Sequence, residues 1–263
     1  MADSVNEKRQ HPRLELKAPA KFRVPTARMD IGMASIKNIS GGGLCVLTNT
    51  KIKKGQVIQM EFGLPADKTT ILALGEIVWV TDMDELDTKF KYQLGVKFVE
   101  IEKEKQKNIN RFVITRLKAR VREELDKLPT SKTATRRSIL VIDDDKVTRE
   151  LISTVFSDDF NVLTAADGYE GVEMAKNWRP DLILLDIVMP IMDGFSTLMI
   201  LKDFGETKDI PVLMLSVLHD KSKIFQAIRG GAQDYILKPF TPENLIVKIN
   251  KIIHTKQRSH HAE

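Results

Sequence analysis

Five polar residues in the second half of this 263-residue chain have the types and order needed for phosphoryl chemistry. Asp143 and Asp144 end one hydrophobic strand, Asp186 ends another, and Ser216 and Lys238 close two more. Folding that gathers these strand ends sets three carboxylates side by side, which is tolerable only with a cation among them. Oxygen donors select a hard metal, and magnesium suits a site that must also hold phosphoryl oxygens. One carboxylate can then act as a nucleophile and form an acyl phosphate, while the metal and a lysine neutralise the transferring group. Lys238, fixed before Pro239, is placed for that task.

A second constellation lies near the start. Arg9 and Arg13 bracket Gln10-His11-Pro12, and Asn38-Ile39-Ser40-Gly41-Gly42-Gly43 follows. A planar guanidinium can bond a phosphate or the O6/N7 edge of a guanine bidentately, and can stack on a base. Asn38 and Ser40 offer short polar groups to a base edge. The three glycines allow close backbone approach in a turn between strands.

The elements that must position these groups fall into two patterns. Short β-rich runs at Ala20–Val24, Ala34–Ile39, Gly43–Leu47, Val57–Phe62, Ile71–Val80 and Tyr92–Phe98 are separated by Gly, Pro and charged turns. No helix intervenes, which predicts an antiparallel six-stranded barrel. Residues 1–17 are polar and read as a flexible segment carrying the arginines. Ile109, Phe112, Val113, Leu117, Val121, Leu125 and Leu128 then recur at three- and four-residue spacing, an amphipathic helix ended by Pro129. That helix either packs on the barrel or forms a dimer seam or lever at its far end, so a homodimer stays open. Residues 129–137 read as a linker. From Ser138 to about residue 257, strands Ser138–Ile142, Asn161–Ala165, Leu182–Leu185, Val212–Leu215 and Asp234–Leu237 alternate with helical stretches, and a short tail, 258–263, follows. Near-continuous apolar strands predict a doubly wound five-stranded parallel sheet covered on both faces, with its site at the carboxyl ends of the strands.

Charge divides along the same line. Residues 1–136 carry 26 Lys and Arg against 17 Asp and Glu, a net +9, whereas residues 137–263 carry 15 against 19, a net −4. A basic half suits an anionic ligand and an acidic half a metal-dependent phosphorylation site. Cys45, the only cysteine, excludes an intrachain disulfide and fits a reducing cytoplasm. No apolar run approaches the length of a membrane span, and the N-terminus lacks a signal-peptide core, so a soluble cytoplasmic protein is expected.

The residues from about Glu7 to Glu124 resemble a PilZ domain, through Arg9-Gln10-His11-Pro12-Arg13 and Asn38-Ile39-Ser40-Gly41-Gly42-Gly43. The resemblance implies that Arg9 and Arg13 grip cyclic di-GMP while Asn38, Ser40 and Gly43 hold a guanine. From Arg137 to about Thr255 the chain resembles a two-component response regulator receiver domain of flavodoxin-like fold. Ile139 to Asp145, Asp186 to Gly194, Pro211 to Ser216 and Asp234 to Phe240 carry that likeness. It implies that Asp186 accepts phosphate from a sensor histidine kinase. Magnesium would be held by Asp144, Asp186, the Val188 carbonyl and, through water, Asp143. Ser216 and Tyr235 would be the switch pair. Val217, following Ser216, departs from the small residue usual there.

Together the two likenesses imply a bacterial response regulator, not a metabolic enzyme, that integrates both inputs to control a downstream partner protein. A PilZ effector with a degenerate, unphosphorylated receiver is one rival. A DNA-binding transcription regulator is another, although no helix-turn-helix or zinc-finger pattern supports nucleic-acid binding.

Overall fold

The structure, a computed structural model, describes residues 12–24, 31–65, 69–83, 89–127, 136–216 and 221–259. It divides into two compact units, the first ending at Arg116 and the second beginning at Leu117.

In the first unit β1 (Leu14–Arg23), β2 (Gly32–Ser40), β3 (Gly43–Thr48), β4 (Val57–Gly63), β5 (Thr70–Asp82) and β6 (Tyr92–Ile101) close into an antiparallel barrel in the order β1-β2-β3-β6-β5-β4. Alternate residues face inward: Ala18, Ala20 and Phe22 from β1, Ile58, Met60 and Phe62 from β4, and Ile71, Ala73 and Ile77 from β5 are all buried. Phe62 and Phe98 stack across this core with ring centres 6.2 Å apart.

The barrel corrects one expectation. β1 begins at Leu14, not Ala20, so the segment read as flexible to residue 17 includes four strand residues. Leu14 pairs with Ile39 and Glu15 with Asn38, after which the register shifts before Ala18. Inward and outward residues alternate through the whole strand, from Leu14 to Arg23, with Pro19 on the outward phase. Residues 1–11, and Arg9 with them, lie outside the described residues.

Helix α1 (Lys103–Asp126) follows. Ile109 and Val113, in the first unit, and Leu117 and Val121, in the second, are buried at four-residue intervals along one face. Within the second unit, Lys118 pairs with Asp158 at 2.9 Å, Arg122 with Asp159 at 2.8 Å and Arg120 with Glu243 at 3.3 Å.

The rest of the second unit is a βα alternation: β7 (Ser138–Ile142), α2 (Lys146–Phe156), β8 (Asn161–Ala165), α3 (Gly168–Trp178), β9 (Leu182–Asp186), α4 (Gly194–Asp203), β10 (Val212–Ser216), α5 (Lys221–Arg229), β11 (Asp234–Leu237) and α6 (Pro242–Ser259). The parallel sheet runs β11-β10-β9-β7-β8. β9 and β10 are buried along their whole length, as strands covered by helices on both faces must be. The chain reverses its direction of travel across the sheet between β7 and β9, which opens a crevice at their carboxyl ends. Both expected fold classes are present.

Not every aspartate at these strand ends is available for chemistry. Asp145 caps α2, accepting from the amides of Val147 and Thr148, and Asp193 caps α4 through the Ser196 amide at 2.8 Å. Between β9 and α4, Ile191 holds a left-handed backbone, φ 70°, with its side chain 86% exposed. A β-branched residue there is strained by about 1–2 kcal/mol. Asparagine tolerates that region, so Ile191→Asn is expected to raise the unfolding free energy by about 1 kcal/mol in urea titration.

Candidate functional site

The carboxyl edge of the parallel sheet gathers the acidic groups. Asp143 directly follows β7 and is fully buried, Asp186 is the last residue of β9 at 4% exposure, and Asp144 is half-buried beside them. Carboxylate oxygens from all three lie within 4.8 Å of one another. Lys238, just past β11, sends its Nζ between two of them, 2.6 Å from Asp143 Oδ2 and 2.8 Å from Asp186 Oδ2. The Lys238 amide donates to the Ser216 carbonyl at 2.6 Å, which fixes the lysine's backbone to the end of β10.

Smaller bonds complete the pocket. Asp143 Oδ1 accepts from the Asp145 amide at 2.9 Å, and Arg149 donates to the Asp143 carbonyl at 2.5 Å. The Val188 amide points at Asp186 Oδ1 from 3.4 Å, while the Val188 side chain is exposed. Ser216 ends β10 and is buried; it pairs with Leu237, and Leu215, just before it in the chain, pairs with Asp186. Tyr235 lies on β11 beside Met214, partly buried against the core, with the Lys248 ammonium 5.5 Å from its ring centre. Val217 lies outside the described residues.

Electrostatics follow from this crowding. Burial raises the Asp143 carboxyl to about 6, with Asp186 adding to the rise and Lys238 opposing it. Asp186 is raised for the same first reason, again against Lys238. Burial alone would lower the Lys238 ammonium, but Asp143 and Asp186 together hold it above its ordinary value. A pocket of three acids and one base therefore has the donor set for a hard divalent cation and a nucleophilic carboxylate beside a fixed positive charge.

The glycine turn of the barrel forms a second cluster. Ser40 and Gly43 pair at the β2–β3 junction, and Ser40 Oγ donates to the Gly43 carbonyl at 3.1 Å. A side chain at Gly43 would put its Cβ 2.1 Å from the Val96 carbonyl, so only glycine fits. Asn38 pairs with Glu15 on one side and Cys45 on the other, and its Oδ1 is buried without a hydrogen-bond partner among the described residues. Arg13 stands one residue before the Leu14–Ile39 pair. Its charge reaches Cys45, whose thiol is pushed up by burial and pulled back by Lys37 and Arg13. Arg13, Asn38, Ser40 and Gly43 thus share one end of β1, β2 and β3.

Sequence reasoning missed Arg149, whose partner is a main-chain carbonyl with no sequence signature. It also missed Gln106, which donates to the Gly41 carbonyl at 2.8 Å across 65 residues.

The raised Asp143 carboxyl has a signed consequence. Because its folded-state value, about 6, lies above its ordinary 3.8, the stability it provides is complete below ~pH 4 and is lost as pH rises through ~6. In chelator, the urea midpoint of the wild type should therefore fall between ~pH 4.5 and ~7 more than that of Asp143→Asn, which carries one buried charge fewer; equal slopes would contradict this assignment.

Comparison with known proteins supports the same division. The model of the PilZ domain matches residues 7–115 and that of the response regulator receiver domain matches residues 139–250. The chain is 36% identical over 121 residues to the DNA-binding dual master transcriptional regulator RpaA of Synechocystis, covering 46% of this chain and 50% of that protein. It is 35% identical over 119 residues to the probable transcriptional regulator ycf27 of Porphyridium aerugineum, covering 45% and 48%. The chain spans about half the length of these curated relatives, and the likeness is confined to the receiver. Among solved structures, the Vibrio cholerae chemotaxis protein CheY4 is 31% identical, covering 45% of this chain and 99% of that one with a TM-score of 0.44. No helix among the described residues is long and apolar enough to cross a membrane. Both matched families are regulatory, and the chain joins a PilZ domain to a response regulator receiver domain.

Proposed function

We propose that this chain is a signalling protein that binds cyclic di-GMP through its barrel, is phosphorylated on Asp186 by a sensor histidine kinase, and passes both inputs to a downstream protein partner. The observation that carries the phosphorylation half is Lys238 Nζ set between the carboxylates of Asp143 and Asp186.

In this reading an Asp186 oxygen attacks the phosphorus of a phosphohistidine; the new P–O bond forms as the P–N bond breaks, and the imidazole leaves with the donor. Lys238 turns from the two carboxylates it already contacts to the phosphoryl oxygens. Magnesium, held by Asp144, Asp186, the Val188 carbonyl and, through water, Asp143, would supply further neutralisation of phosphoryl charge; the clustered carboxylate oxygens fit such an ion. The Ser216 hydroxyl donates to a phosphoryl oxygen, and Tyr235 follows it as the second half of the switch.

On the barrel, Arg13 grips a phosphate or a guanine edge together with Arg9. Asn38, Ser40 and Gly43 receive a guanine. Asn38 Oδ1, without a hydrogen-bond partner among the described residues, supports this, because a buried acceptor left unsatisfied costs about 1–3 kcal/mol and a guanine N–H would satisfy it.

Two experiments test the two halves separately. Incubation with a small phosphodonor and magnesium should add a single phosphate that mass spectrometry maps to Asp186 and that Asp186→Asn abolishes; label persisting in that variant would place the acceptor elsewhere. Calorimetry with cyclic di-GMP should show binding to the wild type and a loss of about tenfold or more in Arg13→Ala, since one charge-assisted bidentate contact is worth about 1–3 kcal/mol. Unchanged affinity would remove Arg13 from the site.

A further inference from the structure

The glycine turn that receives the nucleotide in the reading above is held from behind by α1. Gln106 Nε2 donates to the Gly41 carbonyl at 2.8 Å. Asn110, one helical turn further on the same face, lies so close that a Cβ on Gly41 would sit 2.0 Å from its Oδ1. On the barrel side, the Phe98 amide donates to the Gly42 carbonyl at 3.0 Å. The carbonyls of Gly41 and Gly42 therefore have fixed donors, one from a helix and one from a strand. Gly41 itself is buried.

Nothing in helix formation requires Gln106 or Asn110. Asparagine is a poor helix former, and both sit beside positions 109 and 113, where the buried face is aliphatic. The Gln106 amide bonds the turn, and the Asn110 side chain packs directly against Gly41. A two-residue Gly-Gly connection has many accessible conformations, and the unfavourable entropy of fixing them falls on whatever binds there unless the fold has fixed them beforehand.

We propose that Gln106 and Asn110 are positioning residues of the nucleotide site: they hold the Gly41-Gly42 turn in its binding shape, and ligand occupancy is felt in return by the first turns of α1. The inference rests on cyclic di-GMP binding at the Ser40–Gly43 turn. Reciprocity is required by linkage, since a helix contact that favours the bound turn is itself favoured by the ligand.

The test uses the full-length chain, with affinity measured by calorimetry and amide exchange followed over residues 103–116 with and without cyclic di-GMP. In the wild type the ligand should slow exchange across these first turns. Gln106→Leu keeps helix propensity and removes the donor; it should bind about 3- to 10-fold more weakly, the scale of one neutral hydrogen bond, and lose most of the ligand-induced protection. Asn110→Ala, a second and independent variant, should act in the same direction. Lys107→Ala, on the exposed side of the same turn, should leave both readouts unchanged. Wild-type affinity and full α1 protection in Gln106→Leu and Asn110→Ala would overturn the inference while leaving the binding site intact. Absence of binding by the wild type would overturn both readings together.

Discussion

Two carboxylates buried at the end of a sheet, with a third beside them, lose the solvation of their charge, and Lys238 is the group that offsets this loss. Its ammonium lies within hydrogen-bond distance of two of them, and its own position is set by the bond from its amide to β10. The sheet order then follows as a requirement. A parallel sheet puts every carboxyl end on one side, and with β9 between β7 and β10, and β11 beyond β10, Asp143, Asp186, Ser216 and Lys238 emerge as neighbours there. The apolar strands supply the rigidity: β7, β9 and β10 are buried, so the residues at their ends inherit well-fixed positions.

The barrel solves a different problem with different means. Its polar groups are few and come from a turn, where backbone freedom rather than charge is the difficulty. Neighbouring strands and α1 restrain that freedom by bonding the turn's carbonyls. One unit thus places charge on a stiff scaffold, and the other stiffens a glycine turn by bonding its carbonyls.

Much of this was legible in the sequence because strong signals coincided. A hydrophobic run that stops at a polar residue marks both a strand and its end, and four such stops in order, at Asp143, Asp186, Ser216 and Lys238, point to the parallel sheet. The same reading could not tell which aspartates stay in the pocket: Asp145 and Asp193 turn away to cap helices, a choice made by local backbone geometry. The start of β1 was legible in the apolar-polar alternation from Leu14, but Pro19, which lacks a backbone donor, argued against a strand running through it. Gln106, Asn110 and Arg149 were invisible for a further reason. They act on main-chain atoms, or on a glycine, and a backbone carbonyl leaves no mark in the residue code. The contact from Gln106 also spans 65 residues, beyond any local pattern.

Closure of the barrel limits how other molecules can engage it. Each of its six strands has a partner on both sides, from β1 with β2 and β4 round to β5 with β6. A peptide that binds by adding itself as an extra strand needs an unpaired edge, and among the described residues the barrel leaves one only in short stretches, where β1 and β5 run past β4. The open sheet of the second unit has two such edges, at β8 and β11, of five and four residues. Where the ladder is closed, a protein that recognises the barrel reads side chains and loops rather than backbone hydrogen-bonding groups.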